Sequence, residues 1–154
     1  MTDSGEKGLE TLQVWQRSLS FATQICRDIL PILPVQEKFA LLDQLRRSVQ
    51  SIPANIAEGY GRFYYQESIR FCYIARGSLE ETFSHLKLAH NLGYLNDDIY
   101  NKLNSEIQEL RRMLNGYITF LKNSKRGATE PGANLSVREI PPHYLLDSNE
   151  LPDS

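Results

Sequence analysis

Apolar residues recur at helical spacing through most of this chain, and the recurrence stops at Gly127. Leu12, Trp15, Leu19, Ala22, Cys26 and Ile29 alternate by three and four, which predicts a first helix from about Glu10 to Leu30. Pro31 and Pro34 close it, because neither can donate to a continuing helix and each restricts its predecessor. Phe39, Leu42, Leu45, Val49, Ile52 and Ile56 predict a second helix from about Val35 to Gly59. Pro53 lies inside that stretch; the pattern resumes in register at Ile56, so a kink is expected there and not an end. Gly59 and Gly61 form the stop. A third helix follows from about Gln66 to Leu92, carrying Ile69, Cys72, Ala75, Leu79, Phe83 and Leu86, with Asn91-Leu92-Gly93-Tyr94 as its exit turn. Asn96 or Asp97 caps a fourth, striped by Ile99, Leu103, Ile107, Leu110, Leu114, Tyr117 and Leu121. Lys122 and Lys125 stand at its end, where the helix dipole favours cations.

Four long stripes near a 3.5-residue spacing, joined by short turns, specify an all-α fold: an antiparallel up-down-up-down four-helix bundle with a disordered C-terminal tail. No strand signal competes. The expected organisation is a flexible N-terminus over residues 1–8, the bundle over 9–126, and a flexible acidic tail with a short apolar motif over 127–154. At 154 residues the chain has room for one domain with a core of its own. Its apolar runs are too short for a membrane span, and its first residues hold no apolar signal segment. A cytoplasmic location without membrane contact is the expectation.

The net charge of −2 conceals an asymmetry. Leu9 to Arg126 holds fifteen Lys/Arg against twelve acids, whereas Gly127 to Ser154 holds one Arg against five. A mildly basic bundle thus carries an acidic tail. Cys26 and Cys72 fall within apolar helical patterns and read as buried free thiols. Neither His85 nor His90 has a glutamate three residues before it, as a bundle di-iron site needs; those positions are Thr82 and Lys87. No Gly-rich phosphate loop of the Walker type and no nucleophile elbow occurs. Neither a metal site, a cofactor nor a catalytic role is expected.

One segment departs from ordinary helix chemistry. Leu45 to Arg62 gathers Pro53, Asn55, Gly59 and Gly61 between Arg46, Arg47 and Arg62. Two readings fit it. In the structural one, Ser51 or Asn55 supports the backbone that Pro53 frees, and Glu58 pairs with an arginine of this or another copy. In the functional one, the segment is a basic, irregular surface for phosphate oxygens. Tyr60, Phe63, Tyr64 and Tyr65 beside Arg62 can stack on bases, or can staple the turn. Gly77 is a second oddity, since glycine inside a helix costs about 1 kcal/mol relative to alanine. Close approach of a neighbouring helix or copy is the expected compensation. Glu80 and Glu81 are candidates to pair with Arg76 across an interface, or to stand on a solvated face.

Arg46-Arg47-Ser48, then Ser51-Ile52-Pro53-Ala54-Asn55-Ile56-Ala57-Glu58-Gly59 and Arg62, resemble the signature of the bacterial 23S rRNA-intervening sequence proteins. Leu12-Gln13-Val14-Trp15-Gln16 is similar to that family's N-terminal motif. Ala75-Arg76-Gly77-Ser78-Leu79-Glu80-Glu81 and Leu92-Gly93-Tyr94-Leu95 resemble its third-helix motif and the turn after it. The resemblance runs from about Leu9 to Lys122 and leaves the tail outside. It implies a bundle that assembles into a ring-like homopentamer, in a family without established enzymatic activity. It is more distantly similar to accessory proteins of retroelement reverse transcriptases, which bind enzyme and RNA. The expected function is a non-enzymatic homo-oligomeric scaffold that binds RNA or a nucleic-acid enzyme such as a reverse transcriptase. Arg46, Arg47, Arg62, Arg70, Arg76 and Tyr60 form the candidate nucleic-acid or subunit surface; Ser51, Pro53, Asn55, Glu58 and Gly59 form the structural motif. The alternative is a protein adaptor without nucleic-acid binding, which docks through Ile140, Pro141, Pro142, Tyr144, Leu145 and Leu146, an apolar island in the acidic tail.

Overall fold

The computed structural model describes residues 8–129. The N-terminal segment before them and the tail with its island at Ile140, Pro141, Pro142, Tyr144, Leu145 and Leu146 lie outside the described residues. Four helices form the fold: α1 (Gln13–Gln24), α2 (Leu41–Tyr60), α3 (Tyr65–Asn91) and α4 (Asp97–Ser124). α2 packs on α3, α3 on α4, and α1 on both α2 and α4, so the four close into an all-α bundle. Its upper end holds the start of α1, the α2–α3 turn and the end of α4. Its lower end holds the α1–α2 and α3–α4 connections.

The first helix differs most from expectation. Its buried face is Val14, Ser18, Phe21, Ala22, Ile25 and Ile29, one residue out of phase with the predicted stripe over most of its length. Leu19 is 42% exposed, and Trp15 and Cys26 are only half-buried. Ser18 is the reason: its hydroxyl donates to the Trp15 carbonyl at 2.8 Å, which satisfies a polar side chain in full burial and leaves a serine in the apolar stripe. Past Gln24 the helix widens into a π turn over Ile25–Ile29, then tightens into a 3-10 turn over Leu30–Ile32. The second helix begins later than predicted. Val35–Glu37 is a separate 3-10 turn, and Phe39, expected in the core, is 87% exposed. The Glu37 carboxylate receives the Leu41 N–H at 3.2 Å and caps α2. It also accepts from the Tyr94 hydroxyl at 3.1 Å, tying the two lower connections together.

The remaining stripes are buried largely as their spacing demands. Leu45, Val49, Ile52 and Ile56 of α2 face Ile69, Cys72, Ala75, Leu79 and Leu86 of α3 across one core. α4 adds Leu103, Ile107, Leu110, Leu114 and Leu121, with Tyr100 and Ile118 also buried and Ile99 and Tyr117 half-buried at its flanks. Gly93 at φ +81° ends α3, with the Tyr94 N–H reaching back to the Ala89 carbonyl at 2.9 Å. The Asn96 side chain accepts the Ile99 N–H at 2.8 Å and caps α4. Two carboxylates bridge neighbouring helices: Glu106 binds Arg17 of α1, and Glu80 holds Arg111 of α4 through contacts of 2.6 and 3.0 Å. Glu80 therefore serves an intramolecular pair, while Arg76 donates to Asn115 at 3.0 Å.

α2 and α3 approach more closely than large side chains allow, and small and hydroxyl residues line the seam. Thr82 donates to the Ser48 hydroxyl at 2.9 Å, and Ser48 donates to the Leu45 carbonyl at 3.1 Å. Ser51 and Ser78 share a hydrogen bond of 2.8 Å. The Asn55 amide donates to both the carbonyl and the hydroxyl of Ser51 at 2.8 Å. α2 runs unbroken through Pro53, and Gly59 lies directly against α3. A Cβ on Gly59 would stand 2.9 Å from both the Phe71 Cβ and the Ser68 carbonyl oxygen. Gly77 behaves otherwise: a Cβ there meets nothing within 4 Å, so no neighbouring helix of this chain explains it. Gly59→Ala should lower stability by about 1–3 kcal/mol, because backbone would have to move. Gly116→Ala, at an open position inside α4, should raise it by about 0.5–1 kcal/mol. Urea unfolding of both variants checks the pair, and equal effects would refute the close seam.

Candidate functional site

The upper end combines aromatic and basic groups on a turn that the chain's last described residues hydrogen-bond. Lys125 adopts the left-handed conformation at φ 47° and Gly127 does so at φ 78°, which turns the chain away from α4. The Arg126 guanidinium then donates to the Phe63 carbonyl at 2.7 Å and to the Arg62 carbonyl, while the Tyr65 N–H donates to the Arg126 carbonyl at 3.1 Å. Three backbone groups of the α2–α3 turn are thereby satisfied. Phe63 stands 55% exposed and Tyr60 39%, with the Arg126 guanidinium 5.9 Å from the Phe63 ring centre. The Arg62 guanidinium lies 5.1 Å from the Phe71 ring centre and pairs with Glu58 at 2.6 Å, one turn back on its own chain. Such an exposed pair is worth only about 0.3–0.5 kcal/mol, so it does not lock the arginine away from another anion.

The predicted arginines do not form one patch. Arg62 belongs to the upper end, and Arg70 is exposed near the start of α3. Arg76 lies about 9 Å further along that helix, six residues at the α-helical rise, with its guanidinium 4.9 Å from the Tyr73 ring centre. Arg46 and Arg47 sit near the start of α2, at the lower end, both within 4 Å of Asp43: Arg47 at 3.0 Å and Arg46 at 3.9 Å. Of the structural motif, Ser51 and Asn55 build the seam, Pro53 is buried, Gly59 is the contact point and Glu58 holds Arg62. Sequence reasoning missed Arg126, whose importance comes from a contact made across more than sixty positions of chain. It also missed Ser48 paired with Thr82; their signal was hydroxyls facing each other on two apolar stripes.

Among the described residues no three His, Cys, Asp or Glu side chains gather to hold a metal ion. No helix among them is long and apolar enough to cross a membrane. Cys72 is fully buried, and burial pushes its thiol up to about 12. Burial likewise raises the Tyr117 phenol to about 12, helped by the nearby Cys72 and Tyr60. Both groups are therefore inert at neutral pH and serve packing.

Fold and surface together define a four-helix bundle with a basic and aromatic end. The sequence model for the 23S rRNA-intervening sequence protein matches residues 10–116, and the chain belongs to that family. A comparison with curated proteins gives no significant match. Among solved structures, the chain is similar to a protein of unknown function of the S23 ribosomal protein family from Bacteroides thetaiotaomicron VPI-5482. The two are 29% identical, with a TM-score of 0.63 over 68% of this chain and 97% of the other.

The raised thiol and phenol set a pH window. An acid whose folded pKa exceeds its unfolded value stabilises the fold fully below the unfolded value and loses that contribution as pH rises toward the folded one. Stability should therefore fall between pH 9 and 12, as Cys72 and then Tyr117 ionise in the unfolded chain. Unfolding midpoints measured across that range should decline more shallowly in Cys72→Ala. At pH 8, Ellman's reagent should modify half-buried Cys26 orders of magnitude faster than Cys72 in the native protein.

Proposed function

We propose that the protein is a non-catalytic scaffold, assembled from copies of itself, that binds structured RNA through its upper end. The observation that carries this reading is the exposed pair Tyr60 and Phe63 beside Arg62 on a turn immobilised by Arg126. Exposed rings on a rigid turn pay little entropy to stack on unpaired bases, and adjacent guanidiniums attract the phosphates. Arg70 extends the basic surface onto α3 and Arg76 marks its far limit. Self-assembly, the pentamer that the family resemblance implies, has a candidate face on α3. Ile74, Gly77 and Leu88 are exposed there at helical spacing, and the open space over Gly77 suits close packing by a second copy. A retroelement reverse transcriptase remains a partner of the same class, since it would bring RNA to the same end. The cytoplasm, where such RNA resides, is the location this function requires.

Fluorescence anisotropy with a structured RNA across a salt series tests the RNA contact. Binding should weaken log-linearly with salt. Phe63→Ala should cost about 1–3 kcal/mol of affinity, the worth of one stacked base. Arg62→Ala should reduce the salt slope, while Arg46→Ala/Arg47→Ala at the opposite end should leave both nearly unchanged. Absence of binding at low salt would end the RNA reading in favour of a protein adaptor. Assembly is tested separately by light scattering: Gly77→Arg should dissociate the oligomer while leaving the helical content of the chain intact.

A further inference from the structure

The lower end carries an apolar groove that the RNA reading does not use. Leu30, Leu33 and Leu42 form its floor where the 3-10 turns join α2, Val35 and Phe39 stand over it, and its volume is about 630 Å³. Val35 is 83% exposed and Phe39 87%, so two large apolar side chains face water side by side. A rim of Lys38, Arg46 and Arg47 is offset within the groove only by Asp43. The groove is therefore apolar within and net positive at its edge.

We infer that this groove is the docking site of the chain's own apolar island, Ile140–Leu146. Charge matches on the C-terminal side: Asp147, Glu150 and Asp153 follow the island with no lysine or arginine among them, whereas before it Glu139 stands next to Arg138, and the groove is flanked by bases. Shape chemistry matches as well. Pro141-Pro142 favours an extended chain that loses little entropy on docking, and Tyr144, Leu145 and Leu146 supply side chains for an apolar floor. Reach matches too. Arg126 pins the outgoing chain over the α2–α3 turn, at the top of α2. The groove lies at the other end of α2, whose 20 residues rise about 30 Å. The eleven steps of chain from Thr129 to Ile140 extend to about 36 Å, enough to run down α2 and seat the island with little slack. Docking places the acidic flank over Arg46 and Arg47 and buries Val35 and Phe39. The inference stands independently of RNA binding.

Hydrogen–deuterium exchange of the full chain tests it. The amides of Tyr144, Leu145 and Leu146 should exchange about tenfold or more slowly than an unstructured chain. Val35→Asp/Phe39→Asp, at two exposed positions, should abolish that protection without unfolding the bundle. Reciprocally, Leu145→Asp/Leu146→Asp should accelerate exchange at Val35–Leu42. Unprotected amides in the native chain would overturn the proposal. So would protection that survives Val35→Asp/Phe39→Asp, which would put the island elsewhere. Mixing the two double variants distinguishes the remaining case. Protection regained in the mixture would show that the tail crosses to another copy, and would overturn docking within one chain.

Discussion

The close approach of α2 and α3 is the constraint on which the rest of this bundle depends. Gly59 allows the α2 backbone to come within contact of Ser68 and Phe71, a distance that any side chain would enforce as a gap. Once the backbones are that near, the facing residues along the seam must be small, and small residues able to satisfy themselves are serine, threonine and asparagine. Thr82–Ser48 and Ser78–Ser51–Asn55 answer both requirements. Each hydrogen bond contributes about 0.5–1.5 kcal/mol net. Two of them, Thr82–Ser48 and Ser51–Ser78, cross from one helix to the other and so favour this register, while Ser48, Thr82 and Asn55 also bond within their own helices. Ser48, Ser51, Asn55 and Gly59 are the α2 half of this seam.

The seam also decides where charge is displayed. With one side of α2 given to α3 and another to α1, Arg46 and Arg47 are directed to the lower end, and Arg62 emerges only beyond the helix at the upper one. Arg62 and Arg47 each meet an acid one turn away, and Arg76 bridges to Asn115 of α4. Basic character is thus divided between two ends of different chemistry. The upper end adds aromatic rings on a turn that Arg126 holds through its backbone carbonyls. The lower end adds an aliphatic groove. A single bundle thereby displays exposed rings and guanidiniums at one end and an aliphatic groove at the other.

Much of the fold was legible because helical periodicity is a local property. The stripes of the second, third and fourth helices are written in residues three and four apart, and their ends in Gly93 and Asn96, which act within a turn of where they stand. The first helix was misread for a reason equally local: Ser18 is buried by bonding its own backbone, so polarity ceased to report exposure. Phe39 was misread because it lies in the turn between the 3-10 segment Val35–Glu37 and α2, where an apolar residue obeys no helical face.

Sequence by itself determined the helical class, the positions of three apolar faces and the family, all of which rest on spacing and on a contiguous motif. Only tertiary structure decided which of those residues meet. It gave Glu80 to Arg111 and joined Arg126 to the α2–α3 turn. It also showed that Gly59 is a contact and Gly77 is not, although each glycine lies inside a helix. The physical reason is that these outcomes depend on distances between segments remote in the chain. Such distances are fixed by how four helices share one core, and no single stretch of residues contains them.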